Sequence, residues 1–235
     1  MLKTFLAAAA SLAVVAAPYA ALAQDEGASE DVVDDAVAQA PVQARNFAPI
    51  NYNAAEDPES IWLLDLSNGE RVAIRLMAEW APNHVERIKT LTRQGFYDGV
   101  IFHRVIDGFM AQGGDPTGTG QGGSQLPDLE EEFNPMPHVR GTVSMARAAS
   151  EDSANSQFFI VFYPRFSLDK RYTNLGRVIA NMSAVDAINR GEPPANPTRI
   201  LQASIAADGK PVPARVAPTP EPTITADDLN APISN

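Results

Sequence analysis

Short runs of β-branched and aromatic residues, separated by glycine-rich and polar turn stretches, constrain the fold of this 235-residue chain more than any other feature. Four such runs follow residue 98: GVIFHRVI at 99–106, GTVSMA at 141–146, SQFFIVF at 156–162 and LGRVI at 175–179. Strands this short, joined by turns rather than by helices, are typical of a closed or nearly closed antiparallel barrel. The sequence shows no alternation of strand and helix that would indicate a parallel sheet.

The segment before these runs adds a hairpin and a helix. The stretch IWLLDLSNGERVAIRL, which begins at Ile61, places two strand-forming runs on either side of Asn68-Gly69, the strongest short hairpin signal. A helix is then predicted over 82–94, because proline is tolerated in a first helical turn, apolar residues follow at helical spacing and a glycine marks the end. The residues that carry this pattern are Pro82, Val85, Ile88, Leu91 and Gly95.

The segment after them adds a second helix and a last strand. Ser183 to Asp186 has the pattern of a capping box, which predicts a short helix that ends near Gly191. Residues 199–205 alternate as a strand does. The sequence therefore predicts a mainly β fold, a closed eight-stranded antiparallel β-barrel capped by two α-helices.

Composition divides the chain into four parts. Residues 1–23 have a lysine, an apolar run and a small-residue cleavage pattern, which predicts a secretory signal peptide. Residues 24–57 are interpreted as an acidic, Ala-rich linker, 58–207 as the folded domain and 208–235 as a Pro-rich C-terminal tail. We therefore expect an exported, periplasmic protein that is a monomer and is not held at a membrane after signal cleavage.

Charge and cysteine content exclude several classes of function. The formal net charge is −11, and a nucleic-acid partner is not expected because phosphate binding requires a basic surface. The chain has no cysteine, which excludes disulfides, thiolate catalysis and cysteine-ligated metals. No metal site is expected either, because His84, His103 and His138 lack the spacing of metal ligands.

Two segments carry a specific resemblance. FYDGVIFHRVIDGFMAQGGD at 96–115 and GTVSMARAASEDSANSQFFI at 141–160 closely resemble the cyclophilin family of peptidyl-prolyl cis-trans isomerases. The resemblance extends from the early hairpin to the last strand and implies a bacterial, exported enzyme with a cyclophilin-like domain. Such an enzyme accelerates isomerisation of X-Pro bonds in proline-containing polypeptides during protein folding, and needs no cofactor.

The chemistry of X-Pro isomerisation singles out Arg104. The barrier is about 18–20 kcal/mol because the amide nitrogen shares its lone pair with the carbonyl group. Twisting the bond ends that sharing, so the prolyl nitrogen becomes a better hydrogen-bond acceptor, and a fixed donor aimed at it lowers the barrier selectively. A guanidinium is permanently charged and presents its donors in a rigid plane, which makes Arg104 the candidate catalytic residue.

The resemblance implies roles for the remaining site residues. Gln157 would orient Arg104 and is the second catalytic candidate, whereas Gln112 would bind the peptide backbone. Ala146 would supply a backbone contact, and Tyr172 stands where relatives often have histidine. The pocket for the proline ring would be formed by Phe109, Met110, Phe159 and Leu168.

Other interpretations of the same residues remain. The chain could mainly bind proline-containing segments as a chaperone or scaffold, with incidental isomerase activity, and its Pro-rich tail could dock an envelope partner. The glycine-rich stretch 113–123 could suggest a phosphate cradle, but no Gly-Lys-Ser/Thr follows it. A hydrolase is disfavoured because Gly-x-Ser-x-Gly is absent and Ser144 has no histidine partner nearby in the sequence.

Overall fold

The computed structural model of the protein describes residues 47–214. The predicted signal peptide lies outside these residues, as do most of the predicted acidic linker and most of the predicted Pro-rich tail. Within the described range, no helix is both long enough and apolar enough to cross a membrane.

The fold is mainly β, as predicted, with eight strands and two α-helices. The helices are α1 (Pro82–Arg93) and α2 (Met182–Asp186). The strands are β1 (Ile61–Leu66), β2 (Arg71–Leu76), β3 (Arg104–Ile106), β4 (Met110–Gly113), β5 (Thr142–Met145), β6 (Phe158–Val161), β7 (Asn174–Ala180) and β8 (Ile200–Ile205).

All eight strands belong to one sheet, in the order β3-β4-β6-β5-β7-β2-β1-β8, and every neighbouring pair is antiparallel. The predicted hairpin is present: β1 and β2 pair around Asn68-Gly69, and Gly69 has a φ of 86°, a conformation that glycine adopts without strain. The eight antiparallel strands and two helices predicted from the sequence are therefore confirmed.

The predicted closure of the barrel is wrong, because the sheet curls into an open half-barrel. Of the run at 99–106, only Arg104–Ile106 forms a strand. The residues ahead of it contact the start of β8 and the chain before it through one isolated bridge, Ile101 to Arg199, and through three backbone hydrogen bonds, which link residues 99–102 to Thr198 and Ile200. On the side of β3 that β8 would cover in a closed barrel, Gly191 pairs with Val105 instead. A strand as short as β3 cannot form a continuous ladder with β8.

The helices agree with the sequence to different degrees. Helix α1 begins at Pro82 and buries Val85, Ile88 and Leu91 in the core, as the apolar spacing predicts. Helix α2 does not use the predicted capping box: Asn181 is its N-cap, in the left-handed conformation, and Ser183 lies inside the helix. The hydroxyl of Ser183 donates to Asn181 Oδ1 (2.8 Å).

The two faces of the sheet carry two separate apolar clusters. The main core contains α1 and the inward residues of the strands, among them Trp62, Phe158 and Ile160. A smaller cluster on the other face is built around Met110, Phe159 and Val161. Because successive side chains of a strand point to opposite faces, the neighbours Phe158 and Phe159 belong to different clusters. The smaller cluster marks the candidate site.

Candidate active site

The register of β3, β4 and β6 places Arg104 and the smaller cluster on one face of the sheet. Arg104 lies opposite Gln112, and Ile106 lies opposite Met110. In the next pair, Gln112 lies opposite Phe159 and Met110 opposite Val161. Directly opposite residues of an antiparallel pair share a face. The side chains of Arg104 and Gln112 therefore project from the same side of the sheet as the apolar residues of the smaller cluster.

The structure brings together all the apolar residues that the resemblance selects. Met110 and Phe159 are buried at the centre of the smaller cluster, with Val161 beside them. The others are partly buried against this centre: Phe109, Ala146, Leu168 and Tyr172, with Ile106 in addition. These residues come from β3, β4 and β6, from the turn between β3 and β4, from the position directly after β5 and from the segment 166–172. Together they form an apolar niche that remains partly open to solvent.

Two arginines border the niche and cover aromatic rings. Arg147 lies over the ring of Tyr172 (4.9 Å), and Arg165 lies over the ring of Phe109 (5.3 Å). The Arg147 guanidinium is also fixed by hydrogen bonds to the carbonyl of Arg171 (3.0 and 3.1 Å). Tyr172 in turn contacts Phe159 edge to face, with centroids 5.6 Å apart. The aromatic walls are thus held in place by cation–π and ring contacts, which have specific geometries.

A polar chain that is buried at Ser144 and His138 and partly exposed at Asp169 lies beneath Phe159, and no motif in the sequence indicates it. Ser144 Oγ lies 2.9 Å from His138 Nε2, and His138 Nδ1 lies 2.8 Å from Asp169 Oδ1. The imidazole stacks on Phe159, with an interplanar angle of 17°. In the folded chain, Ser144 therefore has a histidine partner, although the sequence analysis found none nearby in the sequence. The three residues resemble a Ser-His-Asp triad, but Ser144 is completely buried, so no carbonyl group can reach it.

This chain supports the floor of the niche. Asp169 also accepts the backbone N–H of His138 (2.8 Å), so both donors are satisfied by one carboxylate. With Nδ1–H donating to Asp169, Nε2 accepts from the Ser144 hydroxyl. No short motif could have revealed the arrangement, because Ser144 and Asp169 stand 6 and 31 residues from His138 and meet only in the folded sheet.

Arg104 stands at the edge of the niche and is held by a residue that the sequence analysis did not select. Its side chain is 43% exposed, and Nε donates to Glu192 Oε2 at 2.7 Å. The predicted orientation of Arg104 by Gln157 is not found. Gln157 Nε2 donates to the carbonyls of Gly120 (3.1 Å) and Gly122 (2.8 Å), and Gln157 Oε1 accepts from Gln112 Nε2 (2.9 Å). Both ends of the Gln157 amide are thus engaged elsewhere.

The glycine-rich loop is built around an internal carboxylate rather than around a phosphate. Asp115 accepts the backbone N–H groups of Thr117 (2.7 Å), Gly120 (2.6 Å) and Gly122 (3.1 Å). Burial alone would raise the pKa of Asp115, but these hydrogen bonds and that of the Thr117 hydroxyl outweigh burial and lower the pKa to about 2. A Cβ at Gly122 would lie 2.2 Å from Asp115 Oδ1, so the loop requires glycine there.

Two cavities share Gln112, Gly120 and Gln121 in their linings, and the second also reaches Ala146 of the niche. The first, of about 500 Å³, is lined by His103, Arg104, Gln112, residues 118–121, Glu192 and Pro193. The second, of about 490 Å³, is lined by residues that include Gln112, 120–124, Ala146–Ala148, Asn155 and Gln157. Each has a size that can admit a peptide side chain. Within residues 47–214, no group of three or more acidic or histidine side chains could hold a metal ion.

Two histidines near the site have depressed pKa values. Burial lowers the pKa of His138, and the opposing effect of Asp169 is smaller. Burial also lowers the pKa of His103; Asp115 opposes this shift, and Arg104 adds to it. Both His103 ring nitrogens lack a hydrogen-bond partner in the described part of the chain, so a charged imidazole there would lose its hydration without compensation.

Comparison with known proteins identifies the family. Residues 63–205 match the family model described as "Cyclophilin type peptidyl-prolyl cis-trans isomerase/CLD", which spans more than half of the chain. The chain belongs to the cyclophilin family. A probable peptidyl-prolyl cis-trans isomerase of Brucella suis is 43% identical over 194 residues, which cover 76% of this chain and 98% of the relative. Peptidyl-prolyl cis-trans isomerase B of Bacillus subtilis is 41% identical over 128 residues, 54% of this chain and 89% of the relative.

Solved cyclophilin structures agree with this assignment. The cyclophilin AquaCyp293 of Hirschia baltica is 27% identical, with a TM-score of 0.60 over 68% of this chain and 82% of its own. A cyclophilin of Cryptosporidium parvum, determined in the presence of the dipeptide Ala-Pro, is 28% identical, with a TM-score of 0.58 over 62% of this chain and 98% of its own. This cyclophilin is therefore a peptidyl-prolyl cis-trans isomerase, as the resemblance in its sequence implied.

The neighbours Phe158 and Phe159 provide a matched test of the two faces. We expect Phe159→Leu to lower kcat/KM for a proline peptide, because Phe159 belongs to the niche, and to lower the free energy of unfolding as well, because its side chain is buried. Phe158→Leu should lower the free energy of unfolding by about 1 kcal/mol or more and leave kcat/KM nearly unchanged, because Phe158 packs only in the main core. Urea unfolding and a peptide assay on both variants measure the difference. The reverse pattern in kcat/KM would contradict the assignment of faces.

The depressed pKa values of His103 and His138 predict how stability depends on pH. Each imidazole binds its proton less tightly in the folded protein than in the unfolded chain, where the pKa is about 6.5. The unfolded state therefore takes up more protons, and the free energy of unfolding should fall as the pH is lowered from about 6.5 to about 5. Urea unfolding across this range measures the slope, and His103→Gln should make it shallower.

The range from about pH 7.5 to 8.5 is the control for this measurement, because neither imidazole titrates there and stability should stay constant. Stopping at about pH 5 keeps most of the contribution of Asp115 out of the comparison, because that contribution is lost as the pH falls below the pKa of about 3.8 that its carboxyl has in the unfolded chain. Equal stability at about pH 5 and pH 7.5 would contradict the prediction.

Proposed function

We propose that this cyclophilin accelerates X-Pro isomerisation in proline-containing polypeptides by electrostatic stabilisation of the twisted amide through Arg104. The observation that carries the proposal is the position of the guanidinium. It lies on the same sheet face as the apolar niche, it lines a cavity, and neither Nη group has a partner within residues 47–214. Two donors are thus available to a substrate at the edge of an apolar surface.

The niche supports selective binding of a prolyl group. Met110, Phe159 and Leu168 offer an apolar surface that removes a proline ring from water. The Gln112 Nε2 group donates to Gln157, so Oε1 of Gln112 remains available to accept an N–H of the substrate backbone. The relative from Cryptosporidium parvum was determined in the presence of Ala-Pro, which is consistent with a prolyl peptide as the substrate class.

The catalytic step needs no covalent bond to the enzyme. In the planar ground state, the prolyl nitrogen lone pair is delocalised and is a poor acceptor. As the C–N bond twists, the lone pair becomes localised on nitrogen, and an Nη–H of Arg104 can donate to it. A neighbouring apolar surface strengthens this interaction, since it lowers the local dielectric constant. The donor stabilises the twisted state more than the planar one, which is the condition for acceleration.

Removal of the guanidinium tests the mechanism. Arg104→Ala should lower kcat/KM for a short proline peptide by about 10²–10³-fold, the usual effect of losing one preorganised donor. The fold should persist, because the Arg104 side chain is substantially exposed and its one ion pair within residues 47–214 is to another exposed residue. A protease-coupled peptide assay measures the change.

Arg140→Ala is the matched control for this variant. It removes an arginine of similar exposure that pairs with Asp186 and lines neither of the two cavities described above, and activity should be unchanged. Near-normal turnover by Arg104→Ala would contradict the mechanism. Undiminished refolding of client proteins by an inactive variant would favour the chaperone or scaffold alternative.

We propose further that the enzyme assists protein folding in the cell envelope, after export through residues 1–23. The support is the order of a lysine, an apolar run from Phe5 to Ala17 and the small-residue pattern Ala21-Leu22-Ala23. In a Gram-negative host, the full chain should yield a periplasmic product that begins at Gln24. Cell fractionation and mass spectrometry measure both properties.

Leu12→Arg places a charge within the apolar run and should keep the full-length chain in the cytoplasm. A conservative Leu12→Ile variant should be exported normally and controls for substitution at this position. Periplasmic recovery of the arginine variant, or a cytoplasmic location of the unmodified chain, would contradict the proposal.

A further inference from the structure

The loop after α2 is fastened to β3, and this attachment brings Glu192 to Arg104. Val105 N donates to Gly191 O (2.8 Å), and Gly191 N donates to Val105 O (2.9 Å). These two reciprocal bonds are those of an antiparallel pair, so the residues on either side, Arg104 and Glu192, are cross-strand neighbours. Their ion pair follows from the backbone geometry rather than from a chance surface contact.

The loop is shaped so that residue 191 can lie at this edge. Gly191 has a φ of 143°, and a Cβ there would lie 2.5 Å from Pro194 Cα. A side chain at residue 191 would displace the segment that carries Glu192. The two backbone bonds and this close approach fix the position of the carboxylate relative to β3.

The pair is exclusive in the described part of the chain. Arg104 Nε donates to Glu192 Oε2 at 2.7 Å, and neither side chain has another hydrogen bond or ion pair within residues 47–214. Both are substantially exposed, at 43% and 52%, so the pair contributes little to the stability of the fold. The pair instead fixes geometry. It holds the long Arg104 side chain through Nε, and both Nη groups of Arg104 remain available to donate to a substrate.

We propose that Glu192 is a positioning residue for catalysis, which acts by holding the Arg104 guanidinium through Nε so that its Nη groups face the substrate. This inference rests on the proposed role of Arg104. Gln157 does not take this role in the described residues: its amide bonds to Gln112 and to the carbonyls of the glycine-rich loop, and Arg104 bonds to Glu192 instead. Preorganisation of a donor is effective because no reorientation is then needed in the transition state.

The experiment compares three single variants. Glu192→Ala removes the acceptor, Glu192→Gln removes the charge but retains an oxygen that can accept from Nε, and Asp186→Ala removes an acidic partner from the exposed ion pair with Arg140. Activity on one short proline peptide is measured by NMR exchange spectroscopy, which gives kcat and KM separately. Thermal unfolding checks that each variant is folded.

We expect Glu192→Ala to lower kcat on the order of tenfold with little change in KM, below the 100-fold that a misplacement of about 1 Å can cost. Glu192→Gln should retain most of the activity, and Asp186→Ala should match the unmodified protein. A merely structural role would lower stability as well as activity and would not be rescued by glutamine.

A double variant shows whether Glu192 acts through Arg104. In an Arg104→Ala background, Glu192→Ala should cause no further loss, because the group it positions is absent. A further loss there, an unchanged or raised kcat in the single Glu192→Ala variant, or a failure of Glu192→Gln to restore kcat would each overturn the inference. If Arg104→Ala itself kept normal activity, the proposed mechanism would fail first, so the two failures are distinguishable.

Discussion

The register of β3, β4 and β6 is the constraint on which the site depends. Side chains alternate between the faces of a strand, so a slip of one residue would move every side chain to the other face. The observed register directs Phe158, Ile160 and Val105 into the main core. It directs Arg104 and Phe159 to the opposite face. The pairing of β3, β4 and β6 therefore places the core residues and the site residues at the same time.

The short strands would leave the niche poorly supported without the polar groups buried around it. A buried polar group is tolerated when its hydrogen bonds are satisfied, and it then fixes its neighbours in one arrangement. Asp115 does this for the glycine-rich loop, which in turn engages Gln157. His138, between Ser144 and Asp169, does it for the floor beneath Phe159. The apolar walls thus rest on two satisfied polar networks.

The open half-barrel also explains why Glu192 can reach Arg104. In a fully closed barrel, the outer edge of β3 would be covered by β8. Here the pairing with the chain ahead of β8 ends at the bridge between Ile101 and Arg199. Further along, Gly191 pairs with Val105 of β3 in place of β8. The same feature that makes the prediction of closure wrong therefore brings a carboxylate to the edge of the site. Glu192 thus reaches Arg104 because β3 lies at the end of the sheet.

Local patterns were sufficient for the parts of the fold that are local. The Asn68-Gly69 hairpin, the apolar stripe of α1 and the succession of short strands follow from turn chemistry and from periodicity, which act over a few residues. The two motif segments likewise indicated the family and the residues that gather in the niche. The helix cap at Ser183 was misjudged because left-handed Asn181 begins α2, a choice that depends on where β7 ends.

The amino-acid sequence by itself determined the mainly β character, the family and the presence of an arginine beside an apolar set, because these depend on residue type and short spacing. Only the tertiary structure decided that the barrel stays open, that His138 connects Ser144 to Asp169, and that Glu192 rather than Gln157 holds Arg104. Arg104 and Glu192 are 88 residues apart in the chain. Contacts of that range are set by how the sheet curls and where its edges lie, and no local pattern encodes them.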